Sequence, residues 1–227
     1  MPTDSTVLVI GGGATGVGIA RDLALRGVDV TLAERGGLSS GTSGRSHGLL
    51  HSGARYAEAD RVGAEECIEE NEIIRSIAGE CIRDKGGMFL QLEEDDDAYF
   101  EEKRDACEEI GIQTEEISGE EAKERVPGLS DDVVRAMTVP DASIYPSRLG
   151  AANAADAEEH GATIHPHGPV EELTVEDGEI TEAKLGGDVD ETVEPTYVVN
   201  AGGAWAGEIA DMAGVEVSMA PARGVMV

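Results

Sequence analysis

The chain has 227 residues, enough for one large domain or one and a half ordinary ones, and carries a formal net charge of −30 from 17 basic and 47 acidic residues. Such a charge opposes binding to nucleic acid and direct docking on anionic lipid, and no segment has the roughly 18 consecutive apolar residues of a membrane span. The three cysteines, Cys67, Cys81 and Cys107, form no C-x-x-C pair and suit a reducing cytoplasm, with no secretory signal ahead of Val7.

Val7-Leu8-Val9-Ile10 is a short continuous apolar run, the pattern of a parallel strand buried on both faces. Gly11, Gly13 and Gly16 follow it as G-x-G-x-x-G. Gly11 allows the tight exit from the strand, Gly13 lets a pyrophosphate approach the backbone, and Gly16 lets helix and strand pack closely. A helix runs to about Arg26 and ends at Gly27, with its free N-terminal amides facing the phosphates. Val28–Ala33 reads as the second strand. Glu34 closes it, 23 residues after Gly11, where a carboxylate accepts hydrogen bonds from an adenosine ribose and repels a 2′-phosphate. Residues Gly36 to Gly53 are rich in Gly and Ser and lack a helical period. Leu38, Arg45, His47, Leu49, Leu50 and His51 punctuate them, so the segment reads as a loop that wraps a ligand with amides and hydroxyls rather than as a free linker.

Arg61 to about Cys81 reads as one long helix, with Val62, Cys67, Ile68, Ile73, Ile74 and Ile77 on its apolar side. Gly87–Leu92 is a strand, Ala98–Ile110 a helix capped by Gly111, and Gly119–Arg125 a short helix with Ser118 and Glu121 as a capping box. Val133–Val139 is strand-like, and Ser147–His160 is a helix ending at Gly161. Ala162–Pro169 returns to strand. Asp177-Gly178 and Gly186-Gly187-Asp188 turn residues 170–194 into a three-stranded meander. Tyr197–Asn200 reads as another buried parallel strand, and Gly202-Gly203 opens the helix that carries Trp205. His165 and His167 fall on one strand face without a third ligand, so they read as surface residues and no metal site is expected.

The segment Gly41-Thr42-Ser43-Gly44-Arg45-Ser46-His47-Gly48-Leu49-Leu50-His51-Ser52-Gly53-Ala54-Arg55-Tyr56 closely resembles the signature of FAD-dependent glycerol-3-phosphate dehydrogenases, in the form found in the large catalytic subunit of the anaerobic enzyme. The wider group is the D-amino-acid-oxidase-like flavoprotein superfamily. Residues 66–75, 139–149 and 198–205 are similar to further segments of that subunit, so the resemblance spans essentially the whole chain.

The resemblance implies a Rossmann-like α/β FAD-binding domain with a three-stranded β-meander, interleaved with part of an α+β substrate-binding domain. The expected division is 1–80 with 145–215 for FAD, and 81–144 with 216–227 for substrate, including strands at 87–92, 133–139 and 217–227. It implies hydride transfer from sn-glycerol 3-phosphate to FAD, giving dihydroxyacetone phosphate, with electrons passed on to a respiratory acceptor. Gly11, Gly13, Gly16, Glu34, Arg35, Gly41, Thr42, Ser43, Ser46, Gly48, Leu49, Gly53, Val170, Ala201 and Gly202 would hold FAD. His51, Arg55 and Tyr56 would lie on the substrate side of the flavin. Their chemistry suits this, because alcohol oxidation needs an acceptor for the hydroxyl proton and a phosphorylated substrate needs a fixed cation. The identity of the general base stays open, as does a purely structural role for His51. An amino-acid or 2-hydroxy-acid oxidase of the same superfamily, or an inactive remnant, is the alternative. Relative to the family the chain reads as C-terminally truncated. Further subunits would carry electrons and attach a cytoplasmic protein to the inner face of the membrane. The clustered acid reads as the solvated surface of a protein working at high salt.

Overall fold

A computed structural model describes residues 3–220 and 222. The chain opens with β1 (Thr3–Ile10), α1 (Ala14–Leu25) and β2 (Val30–Ala33). Next come β3 (Leu49–Leu50), α2 (Arg61–Ala78), β4 (Ile82–Arg83), β5 (Gly87–Leu92), α3 (Asp97–Glu109), β6 (Glu115–Ser118), α4 (Gly119–Arg125), β7 (Val133–Val139) and β8 (Ala142–Ile144). The remainder contributes α5 (Pro146–Glu159), β9 (Thr163–His165), β10 (Val170–Glu176), β11 (Glu179–Leu185), β12 (Glu191–Asn200) and α6 (Ala206–Met212). These group into two compact units, one joining the residues up to His47 with those from Pro146 onward, the other spanning Gly48–Tyr145.

The first unit is a six-stranded sheet in the order β10-β11-β12-β1-β2-β9. β12, β1, β2 and β9 run parallel, while β11 is antiparallel to both its neighbours, β10 and β12. The two-residue period of β1 sorts its side chains to two cores. Val7 and Val9 join Leu32 against Val17, Ala20 and Ala24 of α1 and Ala154 and Ala157 of α5. Leu8 and Ile10 join Ala33 against Leu173, Ala183, Leu185 and Val193 of the antiparallel strands. Complete burial of Leu8, Leu32 and Leu185 stabilises the unit by about 1.5–3 kcal/mol per side chain. The alanines facing each other on α1 and α5 let those helices approach closely. The Asp-Gly hairpin forms as expected: Asp177 and Gly178 take φ of 52° and 86°, the pair of positive values a tight β-turn of this twist requires.

The meander differs from expectation in one respect. Its third strand and the expected separate strand at 197–200 are one continuous element, β12, which pairs with β11 through Glu191–Val193 and with β1 through Val193–Asn200. Its end at 197–200 is not fully buried as expected: Tyr197 is 65% exposed and Val198 and Val199 are half-buried, beyond the point where β11 leaves β12 at Val193. The helix carrying Trp205 is also split. Gly203–Trp205 is a 3₁₀ turn, and α6 starts after it. β9 stops at His165, and His167 takes a left-handed φ of 58°, so the two histidines do not share a strand face. Val217–Ala220 has no regular secondary structure; the rest of the expected strand at 217–227, Ala222 aside, lies outside the described residues.

The second unit is built on an antiparallel sheet in the order β5-β7-β6. Met137 and Val139 of β7 pack one face against Phe100 and Cys107 of α3 and Ala54 and Ala57 of the preceding loop. Ile117, Val133 and Ala136 pack the other against Ala122 of α4. The cap expected from sequence is present, with the Glu121 amide donating to Ser118 Oγ at 3.2 Å. The apolar side expected for α2 is covered only in part. Val62, Ile73 and Ile77 are 65%, 50% and 51% exposed, whereas Ala64 and Asn71 are buried. The covered stripe is set by which residues meet the loop at Gly53 and His51; it takes in Ala64, Asn71 and the half-buried Cys67, Ile68 and Ile74, while Val62, Ile73 and Ile77 lie outside it. β6 and the small sheet β3-β8-β4 are not predicted from the sequence, because strands of two to four residues carry no readable period.

Candidate functional site

The turn between β1 and α1 forms one end of a cleft of about 660 Å³. Two close approaches explain its glycines. Gly11 has φ +116°, and a Cβ there would lie 2.4 Å from the Ala201 carbonyl oxygen; a Cβ on Gly16 would lie 1.8 Å from the carbonyl oxygen of Gly11. α1 therefore starts directly beneath the strand end. Gly13, Ala14 and Thr15 line the cleft, and the helix start has no capping side chain and no acid in its first turn. Its exposed amide dipoles face the space where a diphosphate would sit. Ser43 Oγ accepts from the Ala14 amide at 2.9 Å and ties the following loop to the helix start.

Glu34 sits beside the same turn. Its Oε2 accepts from the Gly12 amide at 2.6 Å and its Oε1 from the Gly36 amide at 2.8 Å. The carboxylate is thus locked where β2 ends, beside the cleft it lines. Arg35 stacks its guanidinium 4.0 Å over the Trp205 ring. Of the expected cofactor residues, Gly11, Gly13, Glu34, Arg35, Gly41, Thr42, Ser43, Val170, Ala201 and Gly202 come together around this one cleft. Gly16 acts from behind as a packing contact, and Ser46 is not among the lining residues. Trp205, Ile209 and Met212 also line it. The signal for them in the sequence is their spacing along the second glycine turn and its helix.

Gly48, Leu49, His51, Gly53, Arg55 and Tyr56 belong to the second unit. Leu49 is in β3, and Gly53 packs on the Ala64 carbonyl of α2. His51 is held firmly. Its carbonyl accepts from Asn71 Nδ2 at 2.9 Å, its Nδ1 lies 3.6 Å from Asp141 Oδ2, and its ring meets that of Tyr56 edge-on at 6.0 Å. Arg55 and Tyr56 are exposed on the turn that follows. Asp141, which the sequence reading passed over, accepts from both the amide and the hydroxyl of Ser52, at 2.7 and 2.6 Å.

Beneath that turn, Lys103 Nζ contacts Glu58 Oε2 at 2.7 Å and donates to the carbonyls of Ala54 and Arg55. Burial pushes the Glu58 carboxyl up, but Lys103, the backbone amide of Glu58 itself and the Tyr99 hydroxyl outweigh it and hold the group below the usual carboxylate range. Burial raises the thiols of Cys67 and Cys107, so both stay protonated and unreactive near neutral pH. Among the described residues no group of three or more His, Cys, Asp or Glu could hold a metal ion, and no helix is long and apolar enough to cross a membrane.

A glycine turn at the carboxyl end of a parallel strand, opening on a helix start and answered by an acid on the next strand, defines a dinucleotide-binding α/β protein. Comparison with known proteins narrows the class. A family model described as FAD dependent oxidoreductase matches residues 6–227. The chain is 52% identical to the A1 subunit of the anaerobic glycerol-3-phosphate dehydrogenase of Haloferax volcanii, over 100% of its own length and 41% of that protein's. It is 44% identical to the corresponding subunit of the anaerobic glycerol-3-phosphate dehydrogenase of Escherichia coli (strain K12), over 97% and 41% of the two chains. Among solved structures, L-proline dehydrogenase from P. horikoshii matches with a TM-score of 0.80 at 30% identity, over 96% of this chain and 58% of that one. The chain thus spans about two fifths (41%) of the length of these curated relatives. It belongs to the FAD dependent oxidoreductase family. The cleft fits that cofactor: helix amides for its diphosphate, a fixed carboxylate for its ribose, and Ile10, Val170, Ile209 and Met212 as apolar walls.

Proposed function

We propose that this chain takes part in the FAD-dependent oxidation of sn-glycerol 3-phosphate to dihydroxyacetone phosphate. The observation that carries the reading is the 52% identity, over the whole chain, to a protein named for that activity. Gly11, Gly13 and the amides at the start of α1 hold the cofactor's diphosphate. Glu34 holds its ribose, and Thr42 and Ser43 contribute hydroxyls along the same cleft. FAD, when bound, supplies the two-electron acceptor for the hydride that leaves C2. His51 takes the substrate's hydroxyl proton at Nε2, and Arg55 holds the substrate phosphate with its forked donors. Tyr56 packs against the His51 ring and restricts its tilt. The expected roles of Ser46, Gly48, Leu49 and Gly53 toward the cofactor belong to the same proposal.

Partners follow from the same relatives. They are named as subunits, and we take this chain to work with further subunits that pass electrons to a respiratory acceptor and tether a cytoplasmic protein to the membrane. The acidic surface fits work at high salt. A second reading, oxidation of an amino acid, is favoured by the 0.80 TM-score with L-proline dehydrogenase. Purification in high salt, reconstitution with FAD and anaerobic titration separates the two. Bleaching of the flavin absorbance by glycerol 3-phosphate and not by proline or glycine supports the first reading; bleaching by an amino acid alone replaces it with the second. Failure to retain flavin would sink cofactor binding by this chain.

A further inference from the structure

We propose that Asp141 is a positioning residue for His51, holding the imidazole in the tautomer that keeps the proton on Nδ1 and the lone pair on Nε2. The inference rests on the proposed oxidation for its catalytic meaning, but its structural content stands on the second unit alone.

Asp141 follows β7 and is 9% exposed, and Ser52 and Asn71 beside it are 6% and 7% exposed. Its two oxygens have different tasks. Oδ1 accepts from the amide and the hydroxyl of Ser52, at 2.7 and 2.6 Å. Two donors on one oxygen fix the plane of the carboxylate and so aim the other oxygen. Oδ2 lies 3.6 Å from His51 Nδ1, an atom that is itself buried. From the opposite side Asn71 Nδ2 donates to the His51 carbonyl at 2.9 Å, and Asn71 Oδ1 accepts from Arg75 Nε at 2.5 Å. Backbone, neighbouring residue and ring are therefore each tied to a buried polar group, and the element supplying the carboxylate is distant in sequence. A carboxylate facing Nδ1 favours the proton there, leaving the Nε2 lone pair for chemistry and stabilising the imidazolium once formed.

The Ser52 contacts make Asp141→Asn a directed test. Both Ser52 donors require an oxygen, so the Asn carbonyl takes the Oδ1 position and its NH₂ group turns to His51. Nδ1 must then accept, and the proton moves to Nε2. In the FAD-loaded protein, ¹⁵N shifts of the His51 ring should report an Nδ1–H tautomer in the wild type and Nε2–H in Asp141→Asn. The rate of flavin reduction by glycerol 3-phosphate should fall roughly 100- to 10,000-fold, the worth of a positioned base, with little change in substrate affinity. Asp141→Glu should restore part of the rate. An Nε2–H tautomer in the wild type overturns the proposal, as does an Asn variant with unchanged tautomer and rate. If the Asn variant does not fold, the wild-type tautomer decides alone. If the wild-type flavin is not reduced by glycerol 3-phosphate, the proposed oxidation fails while the ring tautomer still tests the pairing.

Discussion

Lys103→Met removes a buried cation while keeping the length and apolar bulk of the stem. The Lys103 side chain is 5% exposed and that of Glu58 12%. Nζ lies 2.7 Å from Glu58 Oε2 and 4.6 Å from the Phe89 ring centroid. Breaking a buried pair by removing one partner costs about 3–5 kcal/mol, since the other charge stays uncompensated. Glu58 keeps the Tyr99 hydroxyl at 2.9 Å, so the loss should fall at the low end, about 3 kcal/mol. The pH dependence gives a second handle. In the wild type the Glu58 pKa is depressed on folding, so its contribution is present above the unfolded value of about 4.3 and lost as pH falls through the folded one. Without Lys103 the carboxyl loses its main lowering partner against burial, and the folded pKa rises. The variant's penalty is then full at neutral pH and shrinks on acidification. Urea unfolding at fixed high salt, followed by circular dichroism at neutral pH and near pH ~5, measures both effects. Glu58→Gln and the double variant complete the cycle and isolate the pair. A loss below about 1 kcal/mol at neutral pH, or a loss that grows on acidification, would refute the reasoning.

Other substitutions probe the cleft. Gly16→Ala places a Cβ 1.8 Å from a backbone oxygen and should cost about 1–3 kcal/mol or more while abolishing flavin retention. Gly18→Ala, with nothing within 4 Å of its built Cβ, should stabilise α1 by up to about 1 kcal/mol in the same assay. Trp205 is the single tryptophan and lines the cleft, so FAD should quench its emission with one-to-one stoichiometry; an unchanged spectrum with bound flavin would place the cofactor elsewhere. Glu34→Gln weakens charge-assisted bonds worth about 1.5–3 kcal/mol, and its FAD dissociation constant by calorimetry should rise roughly 10- to 100-fold. With a net charge of −30, the chain should lose its circular-dichroism signal as salt is removed; full folding at low salt would count against adaptation to a saline interior.

What could be read from the chain was written in local constraints. The order strand, glycine turn, helix, strand and acid is legible because each piece acts within a few residues of its neighbours. Gly27 and Gly111, read as helix ends, take φ of 75° and 84° just past α1 and α3, and the Asp177-Gly178 turn forms where its two residue types require. The Gly/Ser composition of 36–53 likewise marked a loop that closes on α1 through Ser43.

The remaining features depend on pairings between distant segments. α2 carries aliphatic residues on several faces, and the positions of Gly53 and His51 select Ala64 and Asn71 for burial. β12 reads as two strands because its composition changes near Pro195, yet its register on β1 runs unbroken from Val193 to Asn200. Asp141 looks like a turn residue until it meets Ser52, 89 positions earlier in the chain. Trp205 looks like an ordinary helix residue until Arg35 stacks on it. Sequence alone thus determined the class of ligand and the local geometry of β1, α1 and Glu34, because steric and hydrogen-bonding demands there are met within one βαβ unit. Only the tertiary structure decided which buried carboxylate faces His51 and which aromatic closes the cleft, because those contacts arise where segments with no common local pattern are packed together.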